Sequence, residues 1–236
     1  MTVLEQNRGP DNGWPAGSLL EMLSPDSRAA LLGLGVARTV GDGEILIREL
    51  DGSTHVILLS RAIVKITASL ENGRTALLGI KLSGDVVGEM AALSGDPRCA
   101  TVTVCGSGQI RVISKEEFRR YLERHTDAHL ALTRMIMHRL RWADQRRVDF
   151  NGYSVLIRLA RVLDELARTY GRAGEKGLAL EVSLTQRELG ALVGAQEGTA
   201  REELGKLKEQ GVIQIGYRRL TVLDQKLLNK IAYEQE

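Results

Sequence analysis

Apolar and polar positions along this 236-residue chain follow two different periods, one in each half. From Val36 to Ile113, short runs rich in β-branched residues recur at 44–48, 55–59, 63–68, 75–80, 101–105 and 110–113. Turn chemistry separates them: Gly41-Asp42-Gly43, Asp51-Gly52, Asn72-Gly73, Ser83-Gly84-Asp85, Gly95-Asp96-Pro97 and Gly106-Ser107-Gly108. Short strands punctuated this often predict a β-sandwich or barrel. Asn72-Gly73 is the strongest hairpin signal of the set. Upstream, Ser24-Pro25 opens a short helix through Leu32, with serine as N-cap and proline at the first helical position. Residues 1–17 carry turn and loop chemistry and read as a mobile tail, in which Trp14 has no assigned docking place.

Strands stop after Ile113. Ser114 with Glu117 forms a capping box and starts a helix through Leu122. A longer helix is expected over 127–150, because Leu132, Ile136, Leu140, Ala143, Arg147 and Phe150 recur at helical steps. So narrow a stripe is the pattern of a seam between paired helices; the plainer alternative is packing within one domain. Asn151-Gly152 ends it. Residues 153–170 place Val155, Leu156, Leu159, Val162, Leu163 and Leu166 on one helical face, and 171–177 read as a polar loop. The rest is helical apart from an apolar hairpin between Val212 and Val222. The expected organisation is a tail (1–17), a β domain (18–123), a connecting helix (124–152) and a mostly helical domain (153–236), an α+β chain.

Composition narrows the function classes. The net charge of +2 is too mild to argue for a nucleic-acid partner. Two cysteines, Cys99 and Cys105, are too few for a disulfide framework or a four-thiolate cluster, and they read as reduced packing residues. With no run long enough for a bilayer and no basic-apolar leader, the expected location is the cytoplasm, without membrane contact. His125 and His129 flank Asp127 at a spacing that mimics a metal pair, but the glutamate of a zincin motif is missing, and no metal is expected. With no nucleophile elbow, P-loop or dinucleotide fingerprint, an enzyme is not expected.

The segment 185–222 carries more. Thr185 and Glu188 form a capping box; Leu189 and Leu192 face inward; Gly194 stands where a tight interhelical turn needs a residue without Cβ. A second helix follows, with Thr199 near its start and Leu204 and Leu207 inward, then strand, turn and strand. Helix, glycine turn, helix and hairpin is the winged helix-turn-helix arrangement, whose second helix can enter a DNA major groove. Arg218 and Arg219 at the hairpin tip are placed to reach phosphates. Against this, Arg187, Arg201, Lys206, Lys208, Arg218 and Arg219 are matched by Glu188, Glu197, Glu202, Glu203, Glu209 and Asp224. Phosphate binding then requires the cations to be segregated on one face.

In the β half, Gly88 allows close backbone approach, and Glu89 to Leu93 can form one helical turn whose free N–H groups face an anion. Arg98 supplies a guanidinium fork for phosphate oxygens, and Glu89 can accept from a ribose hydroxyl. A structural ion pair is the alternative use of such residues. Gly88-Glu89-Met90-Ala91-Ala92-Leu93 with Pro97-Arg98-Cys99-Ala100-Thr101 resembles the phosphate-binding cassette of the cyclic AMP receptor and fumarate–nitrate regulator (CRP/FNR) family of bacterial transcription factors. The resemblance runs from about Leu19 to Leu228 and includes the long helix and the winged helix-turn-helix in the family's order.

That resemblance implies an N-terminal jelly-roll-like β-roll binding a cyclic nucleotide, a long dimerisation helix and a C-terminal winged helix-turn-helix. It implies a homodimer paired through residues 124–152, acting on double-stranded DNA and with RNA polymerase. The nucleotide set falls on Gly88, Glu89, Met90, Ala91, Arg98 and Cys99, with Glu89 on the ribose 2′-hydroxyl and Arg98 on the cyclic phosphate. Cys99 replaces the usual serine or alanine, and a thiol is a weak donor. The positions that read adenine hold Ala143 and Asp144. Cyclic AMP is the effector the family points to first; a carboxylate at Asp144 also admits cyclic GMP or cyclic di-GMP. Arg61 stands where the family commonly has a turn glycine, so that turn must be rebuilt. On DNA the set is Thr185, Gln186, Arg187, Gln196, Glu197, Thr199, Arg201, Lys206 and Arg218. Gln196-Glu197-Gly198-Thr199 departs from the family's usual recognition-helix start, so Gln196, Glu197 and Arg201 become the base-edge candidates and Thr199 a phosphate contact. Two alternatives stand beside this reading: a regulator of the same fold without a cyclic-nucleotide response, and a nucleotide sensor that does not bind DNA.

Overall fold

The computed structural model describes residues 13–73, 75–180, 182–216 and 219–234. Residues 1–12 of the expected tail and Arg218 of the expected DNA-binding set lie outside these. The chain divides into two compact units, up to Leu140 and from Arg141 onward.

The first unit begins with α1 (Leu19–Met22) and α2 (Pro25–Gly33). Ser24 caps α2 by accepting from Ser27 N, with Pro25 in the first turn, as its sequence dictates. Six strands follow: β1 (Val36–Val40), β2 (Ile45–Ile47), β3 (Val56–Ser69), β4 (Thr75–Lys81), β5 (Val86–Val87) and β6 (Thr101–Ile113). They form one antiparallel sheet in the order β1-β6-β3-β4, with β2 on β6 and β5 on β3. α3 (Glu89–Ser94), α4 (Lys115–Arg124) and the start of α5 (Thr126–Gly152) complete the unit. Two apolar clusters hold it together. One, inside the roll, includes Ile57, Leu59, Val64, Val87, Val102 and Ile110. The other joins α1, α2, α4 and α5 through Leu20, Leu31, Phe118, Leu122 and Leu132, and Trp14 packs against it. Each buried leucine or phenylalanine contributes about 1.5–3 kcal/mol.

Several expectations need correction. The runs at 55–59 and 63–68 are one strand, β3, and those at 101–105 and 110–113 are one strand, β6. Gly106-Ser107-Gly108 is therefore inside a strand. The register between β3 and β6 shifts at Leu59/Arg61 and Arg61/Ile63, so a bulge takes up what a turn was expected to do. Arg61 lies in that bulged strand, opposite Gln109. Cys99 is an exposed thiol ahead of β6 and not a packing residue; Cys105 is half-buried, and neither forms a disulfide.

The second unit contains the rest of α5, then α6 (Val155–Tyr170), β7 (Gly171–Gly174), β8 (Gly177–Leu180), α7 (Gln186–Leu192), α8 (Glu197–Glu209), β9 (Ile213–Gly216), β10 (Arg219–Val222) and α9 (Gln225–Tyr233). The expected polar loop at 171–177 is a hairpin. Its strand β8 pairs with β10, giving a four-stranded sheet in the order β7-β8-β10-β9. Local polarity hid this, because the pairing partner lies some forty residues downstream. The apolar face of α6 is buried at Leu159, Val162, Leu163 and Leu166. Asp164, fully buried on α6, accepts from Asn229 Nδ2 at 2.9 Å and Tyr233 Oη at 3.1 Å and so ties down α9. No helix of the described residues is long and apolar enough to cross a membrane.

Candidate nucleotide cassette and nucleic-acid interface

The cassette is built around one glycine. Gly88 has φ of 83°, a left-handed conformation, and caps the N-terminus of α3. A Cβ there would meet Arg98 Nη1 at 2.6 Å, His55 O at 2.9 Å and Ile47 Cδ1 at 2.9 Å. The close approach that Gly88 permits is therefore by the Arg98 guanidinium. Arg98 is 2% exposed. Its Nη1 donates to Gly88 O at 2.8 Å, its Nη2 to His55 O at 2.6 Å and its Nε to Ser53 Oγ at 3.2 Å. Backbone bonds from Leu50 N to Arg98 O and from Arg98 N to Asp51 O fix its main chain. Burial lowers the Arg98 guanidinium from its usual range, and Asp51 and Glu89 oppose that shift. Desolvation, then the Arg98 charge, lowers the His55 imidazole.

Glu89 is likewise 2% exposed. Its Oε1 accepts from Arg139 Nη1 of α5, and Arg139 Nη2 donates to Val86 O at 3.1 Å. Beside this pair Lys81 Nζ lies 3.5 Å from Asp85, and Asp85 Oδ1 accepts from Leu19 N. Burial lowers the Lys81 ammonium, while Asp85 opposes the shift. Of the remaining expected nucleotide residues, Ala91 is buried, and Met90 and Cys99 are exposed with their sulfurs 4.0 Å apart. Ala143 and Asp144 belong to the second unit, where both are exposed and Asp144 lies 3.9 Å from Arg147. Sequence reasoning missed Arg139, Ser53 and His55. Their partners are 50, 45 and 43 residues away, and no local pattern marks them.

In the second unit, Thr185 accepts from Glu188 N and Glu188 accepts from Thr185 N, completing the capping box of α7. Gly194 turns the chain with φ of 65°; a Cβ there would meet the Phe150 ring at 2.8 Å. Leu189, Leu192, Leu204 and Leu207 are buried beneath the turn, as their spacing predicts. Arg187, Gln196, Glu197, Thr199, Arg201 and Lys206 are exposed, whereas Gln186 is half-buried. Arg201 and Lys206 are not segregated from the anions. Arg201 donates to Gln186 Oε1 at 3.2 Å and Glu197 Oε1 at 3.1 Å, and Lys206 lies 3.1 Å from Glu202 and 2.9 Å from Glu203. Both cations of these pairs are solvent-exposed, and such surface pairs are weak. Among the described residues no group of three or more histidine, cysteine or carboxylate side chains is placed to hold a metal.

A β-roll with a buried glutamate and arginine at a glycine turn, followed by a helix-turn-helix with a β-hairpin, defines a DNA-binding regulator with a nucleotide-binding-type domain. Residues 37–125 match the cyclic nucleotide-binding domain family, and 157–231 match the Crp-like helix-turn-helix domain family. The chain belongs to the CRP/FNR family of transcription regulators. It is 24% identical to the CRP-like cAMP-activated global transcriptional regulator of Mycobacterium tuberculosis, over 80% of this chain and 85% of that protein. Among solved structures, FixK2 from Bradyrhizobium japonicum is similar with a TM-score of 0.73 and 19% identity, covering 86% of this chain and all of that one. The c-di-GMP responsive regulator CLP of Xanthomonas campestris is similar with a TM-score of 0.73 and 20% identity, covering 85% of this chain and all of that one.

Proposed function

We propose that this regulator works as a cytoplasmic homodimer paired along α5, in which a cyclic nucleotide held by Glu89 and Arg98 biases how the two helix-turn-helix units engage double-stranded DNA. The carrying observation is the buried Glu89–Arg139 pair. A ribose hydroxyl donating to Glu89 competes with, or joins, a guanidinium on the long helix, so ligand contact in the cassette acts directly on α5. That is a differential contact of the kind a population shift requires. Arg98 takes the cyclic phosphate, Gly88 and the α3 N–H groups of Met90 and Ala91 approach it, and Cys99 lies at its edge.

Pairing is supported by apolar residues left exposed along α5. Ile136, Leu140 and Phe150 of the helical stripe are 39%, 61% and 57% exposed, and Met137 and Val148 add to them. Leu132, first in the stripe, is instead spent in the core of its own unit. Cyclic AMP is the first expected effector, as for the mycobacterial relative; Asp144 and the Xanthomonas relative keep cyclic GMP and cyclic di-GMP in view. On DNA, Thr185, Gln186, Arg187, Thr199 and Lys206 serve the backbone, Arg218 the wing contact, and Gln196, Glu197 and Arg201 the base edges. RNA polymerase is the expected protein partner. A second reading, a regulator that ignores cyclic nucleotides, is favoured by the way Arg98 and Glu89 are already bonded to protein groups.

Titration calorimetry with the three nucleotides separates these readings. Binding of one, abolished by Arg98→Ala, supports the gated regulator; affinity undiminished in Arg98→Ala removes this cassette from the mechanism. In mobility shifts, Gln196→Ala and Arg201→Ala are expected to lower preference for a specific site more than affinity for random DNA; equal losses would show that both touch only the backbone.

A further inference from the structure

A second cluster of guanidinium groups lies wholly within the second unit. Trp142, Gln145, Arg146 and Asp149 of α5 and Arg158, Arg161 and Glu165 of α6 line a cavity of about 40 Å³, together with Leu192 and Val193. Part of the cluster is satisfied. Asp149 Oδ1 accepts from Arg161 Nη1 at 2.6 Å and from Gln145 Nε2 at 2.9 Å, and Arg158 Nη1 donates to Val193 O at 2.7 Å. Part of it is not. Arg146 Nη1, Arg146 Nη2 and Arg158 Nε are buried and have no hydrogen-bond partner. These donors belong to charged groups, for which burial without a partner is costly. Flexibility does not explain them, because Arg146 is stacked on the Trp142 ring at 4.4 Å and Arg158 over Phe150 at 4.9 Å.

We propose that this cavity is an anion site, and that Arg146 and Arg158 there hold a phosphate group, free or carried by a small phosphomonoester. Three unpaired donors from two separate forks suit a tetrahedral oxyanion, which offers more acceptor oxygens than a carboxylate. The carboxylate of Asp149 in the same cavity is already engaged by Arg161. Three arginines face two carboxylates there, leaving one positive charge for a ligand to balance. Burial pushes the Arg146 guanidinium down to about 10, and the Glu165 and Asp149 carboxylates offset that only in part. A bound phosphate also has a structural consequence. Arg158 holds the carbonyl of Val193 in the turn before α8 and covers Phe150 at the end of α5. Occupancy therefore links the end of the long helix to the turn that presents the recognition helix.

The test is titration calorimetry of the full chain with inorganic phosphate and with glycerol 3-phosphate at matched ionic strength, the folded state being checked by circular dichroism. One saturable site per chain is expected, weakened roughly tenfold or more by Arg146→Gln and by Arg158→Gln. Arg146→Lys, which keeps the charge and the packing stem but loses the fork, is expected to weaken it less. Tighter binding of the ester would mark a phosphorylated metabolite as the source, and equal binding free phosphate; either supports the site. Arg98→Ala separates this site from the cassette and is expected to leave the heat unchanged. No saturable heat with either probe, or a heat lost in Arg98→Ala and retained in Arg146→Gln, overturns the proposal.

Discussion

Glu89 and Arg98 sit at 2% exposure with bonds to protein groups, whereas Gln196, Glu197, Thr199 and Arg201 lie open to solvent on α8. In the first region the charged groups are part of the architecture: Arg98 holds two carbonyls, and Glu89 holds Arg139. In the second they lie on a helix anchored by the buried Ala200, Leu204 and Leu207, and Arg201 bonds Glu197 and Gln186. The difference teaches where substitutions will be tolerated. A ligand at the cassette must exchange existing interactions, and so can move what those interactions hold. A DNA site at α8 replaces water and weak surface pairs, and so can change its preference without cost to the fold.

The sharpest way to break that comparison is to remove one carboxylate from each region. Glu89→Ala leaves Arg139 without its buried counter-charge and is expected to cost about 3 kcal/mol or more in urea unfolding of the first unit. Glu197→Ala is expected to stay within about 0.5 kcal/mol. Equal costs would mean that the Glu89 pair is not structural. The glycines give a smaller contrast of opposite sign. Gly88→Ala drives a methyl into Arg98 and His55 O at a left-handed φ and is expected to cost about 2 kcal/mol. Gly198→Ala, in open space on α8, is expected to stabilise by up to about 1 kcal/mol through helix propensity.

A last effect is confined to acid pH. Asp127, half-buried, is held by the Ser27 hydroxyl first and by Ser24 after it, which lowers its carboxyl from 3.8 to about 2. A carboxyl depressed in the folded state contributes stability above about pH 4, and that contribution is lost as pH falls toward 2. Asp127→Asn is expected to flatten the melting temperature over that window and to leave its slope near neutrality unchanged. An unaltered acid slope would place the loss of stability at other carboxylates.

Much of the local geometry around residues 88–101 and 185–222 was legible. Gly194 was placed by its turn requirement and Gly88 by the close approach it allows, and both adopt positive φ. The boxes at Ser114–Glu117 and Thr185–Glu188 are both formed, and α5 runs as its stripe predicts. These features lie within one or two turns of chain, where dihedral preference and hydrogen-bond reach decide the outcome. The direction in which Arg98 points was not legible. Its acceptors, Gly88 O and His55 O, come from segments 10 and 43 residues away, and a guanidinium reads the same whether it faces a ligand or a carbonyl. The hairpin at β7–β8 was missed for the same reason, since a short polar segment becomes strand only when an edge such as β10 is there to pair with it.

What the sequence by itself determined was therefore the kind of each element, the family and the residue types available for chemistry, because period, capping and turn geometry are local. Only the tertiary structure decided which of those residues are spent on the fold. It paired Glu89 with Arg139 and left Arg146 and Arg158 with unpaired donors, because a buried charge takes its partner from whichever segments the packed core brings within reach.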